Sequence, residues 1–95
     1  MLDFEDIIGF DWDEGNSFKN EEKHNVSIKD CEEVFKNEPL VAPGKLSNNE
    51  TRFIALGEND YGKPLAVIFT IRQNRIRVIS ARPQSKKERK FYYGK

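Results

Sequence analysis

The stretch Leu65-Ala-Val-Ile-Phe-Thr-Ile-Arg72-Gln-Asn-Arg75-Ile-Arg-Val-Ile-Ser-Ala-Arg82 predicts a β-hairpin. Two runs rich in β-branched residues flank Gln73-Asn74, and asparagine tolerates the positive φ that two-residue hairpin turns require. With this turn, Arg72 and Arg75 lie directly opposite each other on neighbouring strands.

One face of this hairpin is polar and the other apolar, since side chains alternate between faces along a strand. The polar face carries Thr70, Arg72, Arg75 and Arg77, and the apolar face carries Val67, Phe69, Ile71, Ile76 and Val78. Two arginines that face each other repel, so a polyanion that neutralises them, such as a phosphate backbone, explains the pair. An alternative is that these cations only prevent edge-to-edge pairing of strands.

Length and charge suit a small domain with an uneven charge distribution. The 95 residues, 37% of them hydrophobic, predict a single domain over residues 1–95. Residues 1–60 contain 15 acidic and 6 basic side chains, whereas residues 61–95 contain 10 basic and 1 acidic. This asymmetry indicates nucleic-acid contact by the basic part, or an acidic part that folds back over it.

Cysteine content and hydropathy exclude several classes of protein. The single cysteine, Cys31, excludes an intramolecular disulfide and a cysteine-based metal site, and its apolar helical setting predicts a small buried side chain. No apolar stretch approaches the roughly 18 residues that span a bilayer, and the N-terminus lacks the layout of a signal peptide. We therefore expect a cytoplasmic protein with no metal, cofactor or membrane contact.

The order of predicted elements favours an α+β fold. The pattern predicts a strand ending near Trp12, a helix from Glu14 to His24 capped by Asp13, and a helix from Ser27 to Glu38-Pro39. It then predicts a short strand at Leu40-Val41, a turn-rich segment over 43–49, a strand over 51–57 and a turn over 58–63. After the hairpin, a Ser85-x-x-Glu88 capping box opens a final basic helix. We expect a small antiparallel sheet of three or four strands, with the helices packed on one face.

Several separated segments resemble the BrnT family of toxins, and the resemblance covers nearly the whole chain. The matching segments are Phe10-Asp-Trp-Asp13, Asn20, Lys23-His24-x-Val26-Ser27, Cys31-Glu-Glu-Val-Phe35, Arg52-x-Ile-Ala-Leu-Gly57, Val67-Ile-Phe-Thr70-x-Arg72, and Arg75–Arg82 followed by Lys86-Lys-Glu-Arg89 and Tyr92. Two positions depart from the family pattern. Asn25 stands where many relatives have glycine, and Asn16 stands where a basic residue is common.

The resemblance implies a function that composition alone does not. It implies a RelE-like microbial ribonuclease fold and an endoribonuclease that cleaves messenger RNA and inhibits translation. It also implies a cognate antitoxin, a ribbon-helix-helix DNA-binding protein, which masks the toxin in a heterotetramer and helps to repress the operon.

Metal-independent RNA cleavage needs a group to take the 2′-hydroxyl proton, donors for the phosphate, and an acid for the departing 5′-oxygen. His24 is the sole histidine and therefore the natural candidate for proton transfer, although it can equally favour a helix C-terminus. Lys23 precedes it, but consecutive helical residues diverge by about 100°, so a joint role needs a helix end there. Arg72 and Arg77 are predicted to hold the phosphate, with Thr70 beside them.

Further RNA contacts are predicted from Arg75, Arg82, Lys86, Arg89 and Tyr92. Arg82 is expected at the strand end on the other face, where it contacts RNA or instead pairs with Glu88. Tyr92 either stacks on a base or anchors the last helix. The basic run Lys86–Lys90 either binds the RNA backbone or simply solvates that helix.

Three functions are compatible with these residues. The leading hypothesis is a ribonuclease toxin. The alternatives are a non-catalytic module that binds RNA or a partner within a repressor complex, and a degenerate toxin that keeps its fold and partner but has no activity. An active toxin stops growth or translation when it is expressed alone, whereas the other two do not.

Overall fold

The computed structural model describes residues 6–16, 24–47 and 50–94. In these ranges the elements are β1 (Gly9–Phe10), α1 (Ile28–Lys36), β2 (Leu40–Ser47), β3 (Glu50–Glu58), β4 (Pro64–Arg72), β5 (Arg75–Pro83) and α2 (Lys86–Tyr93). The strands form one sheet in the order β1-β5-β4-β3-β2. Strands β2 to β5 form an antiparallel meander, and β1 joins β5 in parallel. The predicted α+β class is confirmed.

The β4–β5 hairpin has the predicted turn and register. Gln73 and Asn74 have φ angles of 52° and 62°, the left-handed values that a tight hairpin turn requires. Arg72 pairs with Arg75 across the strands. Thr70 pairs with Arg77, so all four polar residues share one face, as expected.

A β-bulge in β5 changes the face on which Arg82 lies. Ile68 pairs with Ser80 while Phe69 pairs with Val78, which leaves Ile79 as an extra residue. One extra residue reverses the alternation of faces beyond it. The prediction that Arg82 lies on the face opposite to the hairpin arginines was therefore wrong, because strict alternation ignores the bulge.

The first sheet face carries the hydrophobic core and is covered by α1. The fully buried core residues are Val26, Cys31, Val34, Ala55, Leu65, Val67, Phe69, Ile76, Val78 and Ala81. Ser27 and Asp30 form a reciprocal capping box that fixes the start of α1, in line with the predicted cap. Burial raises the pKa of the Cys31 thiol to about 12, which makes Cys31 an inert packing residue, as predicted.

The second sheet face is the one that carries Thr70, Arg72, Arg75 and Arg77, and α2 lies over its far end. Arg82 pairs across the strands with Ala66, which is on the same face of β4 as Thr70 and Arg72. Since Glu88 of α2 forms an ion pair with Arg82, α2 lies on this face. The two described helices thus lie on opposite faces, rather than on one. The reason is that Ile54 and Leu56 of β3 point away from the core and need a cover of their own.

Three further boundaries differ from the sequence patterns. Residues 43–47, predicted as part of a turn, belong to β2, although the register shifts between Pro43 and Leu46. Glu14 to Asn16 form a turn instead of the start of a helix, and residues 17–23 of that predicted helix lie outside the described residues. The first strand ends at Phe10, two residues earlier than expected.

In the described ranges, no helix is long and apolar enough to cross a membrane.

Candidate active site

The arginine end of the second face is defined here as Thr70, Arg72, Arg75 and Arg77 together with Arg52 of β3. Thr70 lies beneath the arginines and not at the surface, since it is only 2% exposed. Its hydroxyl donates a hydrogen bond to the Thr51 carbonyl oxygen at 2.9 Å. Thr70 therefore links β4 to β3 at the point where the arginines project.

Arg77 is held by two aspartates from the segment that follows β1. Its Nη1 lies 2.9 Å from Oδ2 of Asp13 and 3.5 Å from Oδ2 of Asp11, while its Nη2 lies 3.2 Å from Oδ1 of Asp13. The hydrogen bond from Arg77 is the main cause of a lowered pKa for Asp13, and the same bond raises the pKa of Arg77. The pair fixes the planar guanidinium in a bidentate geometry.

Asn16 explains why Asp13 reaches Arg77. The Asn16 side chain is 4% exposed, and its Nδ2 donates to the carbonyl oxygens of Val78 at 2.9 Å and Asp11 at 3.1 Å. Its Oδ1 accepts the backbone N–H of Asp13 at 2.8 Å. Asn16 thus ties the turn to β5 and positions an acidic partner for Arg77.

Arg72 and Arg75 face each other at the open end of the hairpin. Nε of Arg72 lies 2.7 Å from Oε2 of Glu50, and the Arg72 side chain is half exposed. The hydrogen bond from Arg72 is the largest cause of the lowered pKa of Glu50, which the charges of Arg52 and Arg77 lower further. Arg75 is exposed and pairs with no acidic side chain among the described residues.

Arg52 was not assigned a role from the sequence, yet it belongs to this cluster. Within the described residues, its Nε is buried and has no hydrogen-bond partner. It borders a cavity of about 230 Å³ that Gly44, Ile54 and Ile68 also line. The signal that identifies it is strand alternation, because Arg52 falls on the same face of β3 as Ile54.

Of the two predicted proton-transfer residues, His24 belongs to the described residues, and it is not joined to the arginine end there. His24 is exposed and, in the described part of the chain, makes no hydrogen bond or ion pair with the arginines. It precedes Asn25, whose φ of 56° is the left-handed value that glycine or asparagine adopts after a helix. Lys23 lies outside the described residues.

The predicted RNA contacts near the C-terminus lie at the other end of the second face. Arg82 binds Glu88 through two hydrogen bonds of 2.6 and 2.9 Å, which are the main reason that the pKa of Glu88 falls to about 2. Arg89 donates to the Gln84 carbonyl oxygen at 2.8 Å, and Lys86 is exposed. Tyr92 is partly buried, and burial raises its pKa.

The structure thus separates the predicted contacts into two groups. Arg82 follows Arg77 by five positions on β5, which is a distance of roughly 15 Å along a strand. Arg72, Arg75 and Arg77 lie on one face at the open end of the hairpin, whereas Arg82 and Arg89 stabilise the start of α2. Among the residues described, no group of three or more His, Cys, Asp or Glu side chains is placed to hold a metal ion.

Comparison with known proteins supports the family expectation. A family model described as "Ribonuclease toxin, BrnT, of type II toxin-antitoxin system" matches residues 12–88, a range that includes the whole arginine end. The crystal structure of the Brucella abortus ribonuclease toxin BrnT is similar, with 29% identity and a TM-score of 0.65. The similarity covers 83% of this chain and 99% of that one. No curated protein sequence matches the chain.

Proposed function

The chain belongs to the BrnT family of ribonuclease toxins of type II toxin-antitoxin systems, and from that premise we propose that its arginine end cleaves messenger RNA without a metal ion and so inhibits translation. The observation that carries this proposal is the register that places Arg72, Arg75 and Arg77 on one face of one hairpin. Guanidinium groups bind phosphate bidentately and stay charged at every physiological pH.

The carboxylates at this surface act as substitutes for RNA phosphate in the free protein. Glu50 and Asp13 neutralise Arg72 and Arg77 and hold their guanidinium planes in position. The two ion pairs are solvent-accessible, so a polyanion that offers several phosphates at once displaces the carboxylates. Arg75, which is exposed, supplies a further donor for the charge that develops on the phosphate oxygens.

The reaction proposed is an internal transfer on the RNA. The 2′-oxygen attacks the adjacent phosphorus, the bond from phosphorus to the 5′-oxygen breaks, and a 2′,3′-cyclic phosphate remains. One group takes the 2′-hydroxyl proton and another gives a proton to the departing 5′-oxygen. We assign one of these transfers to His24, with Lys23 next to it in the sequence, and the stabilisation of charge on the phosphate oxygens to the arginines. Since His24 makes no hydrogen bond or ion pair with the arginines among the described residues, the bound RNA must contact both.

The partner proposed is a cognate ribbon-helix-helix antitoxin that binds the toxin in a heterotetramer. Uncontrolled RNA cleavage in the cytoplasm stops growth, so the arginine end must be covered until the antitoxin is lost. When the antitoxin binds, we expect cleavage to be suppressed. A neighbour-encoded protein that binds tightly while cleavage and toxicity continue would contradict this masking role.

Removal of metal tests the chemistry. We expect the purified, partner-free chain to cleave single-stranded RNA at the same rate in buffer and in excess EDTA, because protein donors and not a metal hold the phosphate. Loss of an established activity on chelation, with recovery in magnesium, would contradict the mechanism. A chain that binds RNA but neither cleaves it nor stops growth when expressed alone would instead be a binding module.

A further inference from the structure

An apolar groove lies at the end of the second face over which α2 lies. It is a cavity of about 500 Å³, in which Leu40, Ala42, Ile54 and Leu56 form the floor and Phe91 and Lys87 of α2 form one wall. We infer that this groove is the docking site for an acidic, amphipathic helix of the antitoxin. The inference rests on the proposed function, since it names where that partner attaches.

The lining of the groove favours protein side chains over RNA. Phe91 is 67% exposed although it borders a cavity with an almost wholly aliphatic floor. Aliphatic side chains offer neither hydrogen-bonding groups for base edges nor a stack of aromatic platforms, which are the features by which proteins recognise unpaired bases. A cavity of this size accepts two or three large apolar side chains of a partner.

The charge around the groove indicates an acidic partner. Glu88 is the acidic residue among those that line it, and its carboxylate is neutralised by Arg82 at 2.6 and 2.9 Å. Lys87 remains as a cation on the rim, and Lys86 and Lys90 are exposed on the same helix. A segment whose apolar stripe is flanked by Asp or Glu therefore matches the groove in both hydrophobicity and charge.

The edge of the sheet favours a helix over an added strand. Strand β2 is the last strand of the sheet, so its outer edge is the place where a partner strand would pair. Pro43 lacks an N–H group, and the register shifts between Pro43 and Leu46. An irregular edge pairs poorly, whereas an amphipathic helix needs only the groove and supplies anchors at i, i+3 or i+4, and i+7.

The groove and the arginine end are separate surfaces on shared strands. On β3, the groove begins at Ile54, two residues or roughly 7 Å from Arg52, and extends to Leu56, roughly 13 Å from it. A helix anchored in the groove leaves Arg72, Arg75 and Arg77 free, so inhibition requires a further segment of the same partner to cover them. Substitutions in the groove therefore test docking of the partner, and substitutions at the arginine end test RNA cleavage.

Binding of the purified protein encoded by the neighbouring gene tests this inference. Phe91→Asp and Ala42→Asp place a negative charge at exposed groove positions. We expect each to weaken binding by about a hundredfold, as loss of a central anchor does. Tyr61→Asp is the matched control, because Tyr61 is an aromatic residue with 90% exposure and lies outside the groove. It should bind as the wild type does, and all three free variants should melt and cleave RNA as the wild type does.

Several results would overturn the groove assignment. They are wild-type affinity in both groove variants, no binding of the neighbour-encoded protein to the wild-type chain, a groove-dependent dimer of the free chain in sedimentation, or Phe91→Asp weakening RNA binding but not partner binding. A different pair of results would separate the two proposals. If the wild-type chain cleaves no RNA, and the groove variants alone lose partner binding, the groove assignment is supported and the proposed ribonuclease activity is refuted.

Discussion

The two ends of the second sheet face are built on the same strands and yet offer opposite surfaces. At one end, Arg52, Arg72 and Arg77 project beside carboxylates, so the surface is charged and ready to exchange one anion for another. At the other end, Leu56 and Phe91 border an apolar groove. When a partner covers exposed apolar surface of this kind, the free energy of the complex is lowered. Under our proposals, one end binds a charged substrate and the other binds a protein.

Each end is stabilised by its own local contacts. Asn16 and Asp13 fix the arginine end by joining the turn after β1 to β5. The ion pair between Arg82 and Glu88 fixes the groove end by holding α2 against the strands. The two ends therefore respond independently to surface substitutions, whereas a change in the shared core affects both.

The largest expected effect is that of Ile76→Ala, which tests whether both ends depend on the shared core. Ile76 is 2% exposed and lies on the core face of β5. The substitution should lower the free energy of unfolding by about 2–5 kcal/mol through lost contacts and a cavity. Chemical denaturation measures the change. RNA cleavage and partner binding should fall together, in proportion to the unfolded fraction, and loss of either one alone in the folded variant would contradict a shared scaffold.

A smaller effect is expected from Glu88→Gln, which loosens the groove end alone. Gln keeps the capping bond to Ser85 but loses the charge that pairs with Arg82. The folded-state pKa of Glu88 is about 2, below its ordinary value of 4.5, so the pair stabilises the fold above pH 4.5 and this contribution is lost as the pH falls towards 2. After solvent screening we expect a loss of about 1–2 kcal/mol at pH 7.

The pH dependence of melting provides the check on this ion pair. The difference between wild type and Glu88→Gln should shrink steadily between pH 4.5 and pH 2. Glu38→Gln, a change in an exposed acid at the end of α1, should leave the melting temperature unchanged at every pH. A wild-type advantage that is constant down to pH 2 would show that the charge of Glu88 does not contribute.

The smallest effect is expected from Glu50→Gln, which tests whether Glu50 competes with RNA for Arg72. The variant removes the anion that competes with RNA for Arg72. KM for single-stranded RNA should therefore fall several-fold at low salt, kcat should be unchanged, and the difference should fade as salt rises. Steady-state kinetics separate the two constants. A drop in kcat would contradict the view that Glu50 only competes with RNA for Arg72.

Local sequence signals predicted the parts of the fold that depend on neighbouring residues. The Gln73-Asn74 turn, the pairing of Arg72 with Arg75, and the capping residues Ser27 and Ser85 all follow from short patterns. Each is set by backbone conformation within four residues, and all of them are confirmed.

Long-range features escaped the sequence patterns. The parallel pairing of β1 with β5 joins residues more than sixty positions apart, and nothing near Gly9 indicates it. The bulge at Ile79 has no local signature, so the face of Arg82 was misassigned. The acidic partners of the arginines, Asp13 and Glu50, were missed for the same reason, because each comes from a separate strand or turn.

The most direct test of the central claim is the rate of RNA cleavage in EDTA by folded variants of the arginine end and of His24. Arg72→Ala, Arg77→Ala and His24→Ala should each reduce the single-turnover rate by about a hundredfold, because each loses a donor or a proton-transfer group used in the transition state. Lys36→Ala, which removes an exposed cation paired with Asp60 away from this face, should cleave at the wild-type rate. If the three variants fold and all retain the wild-type rate, the arginine end is not the active site.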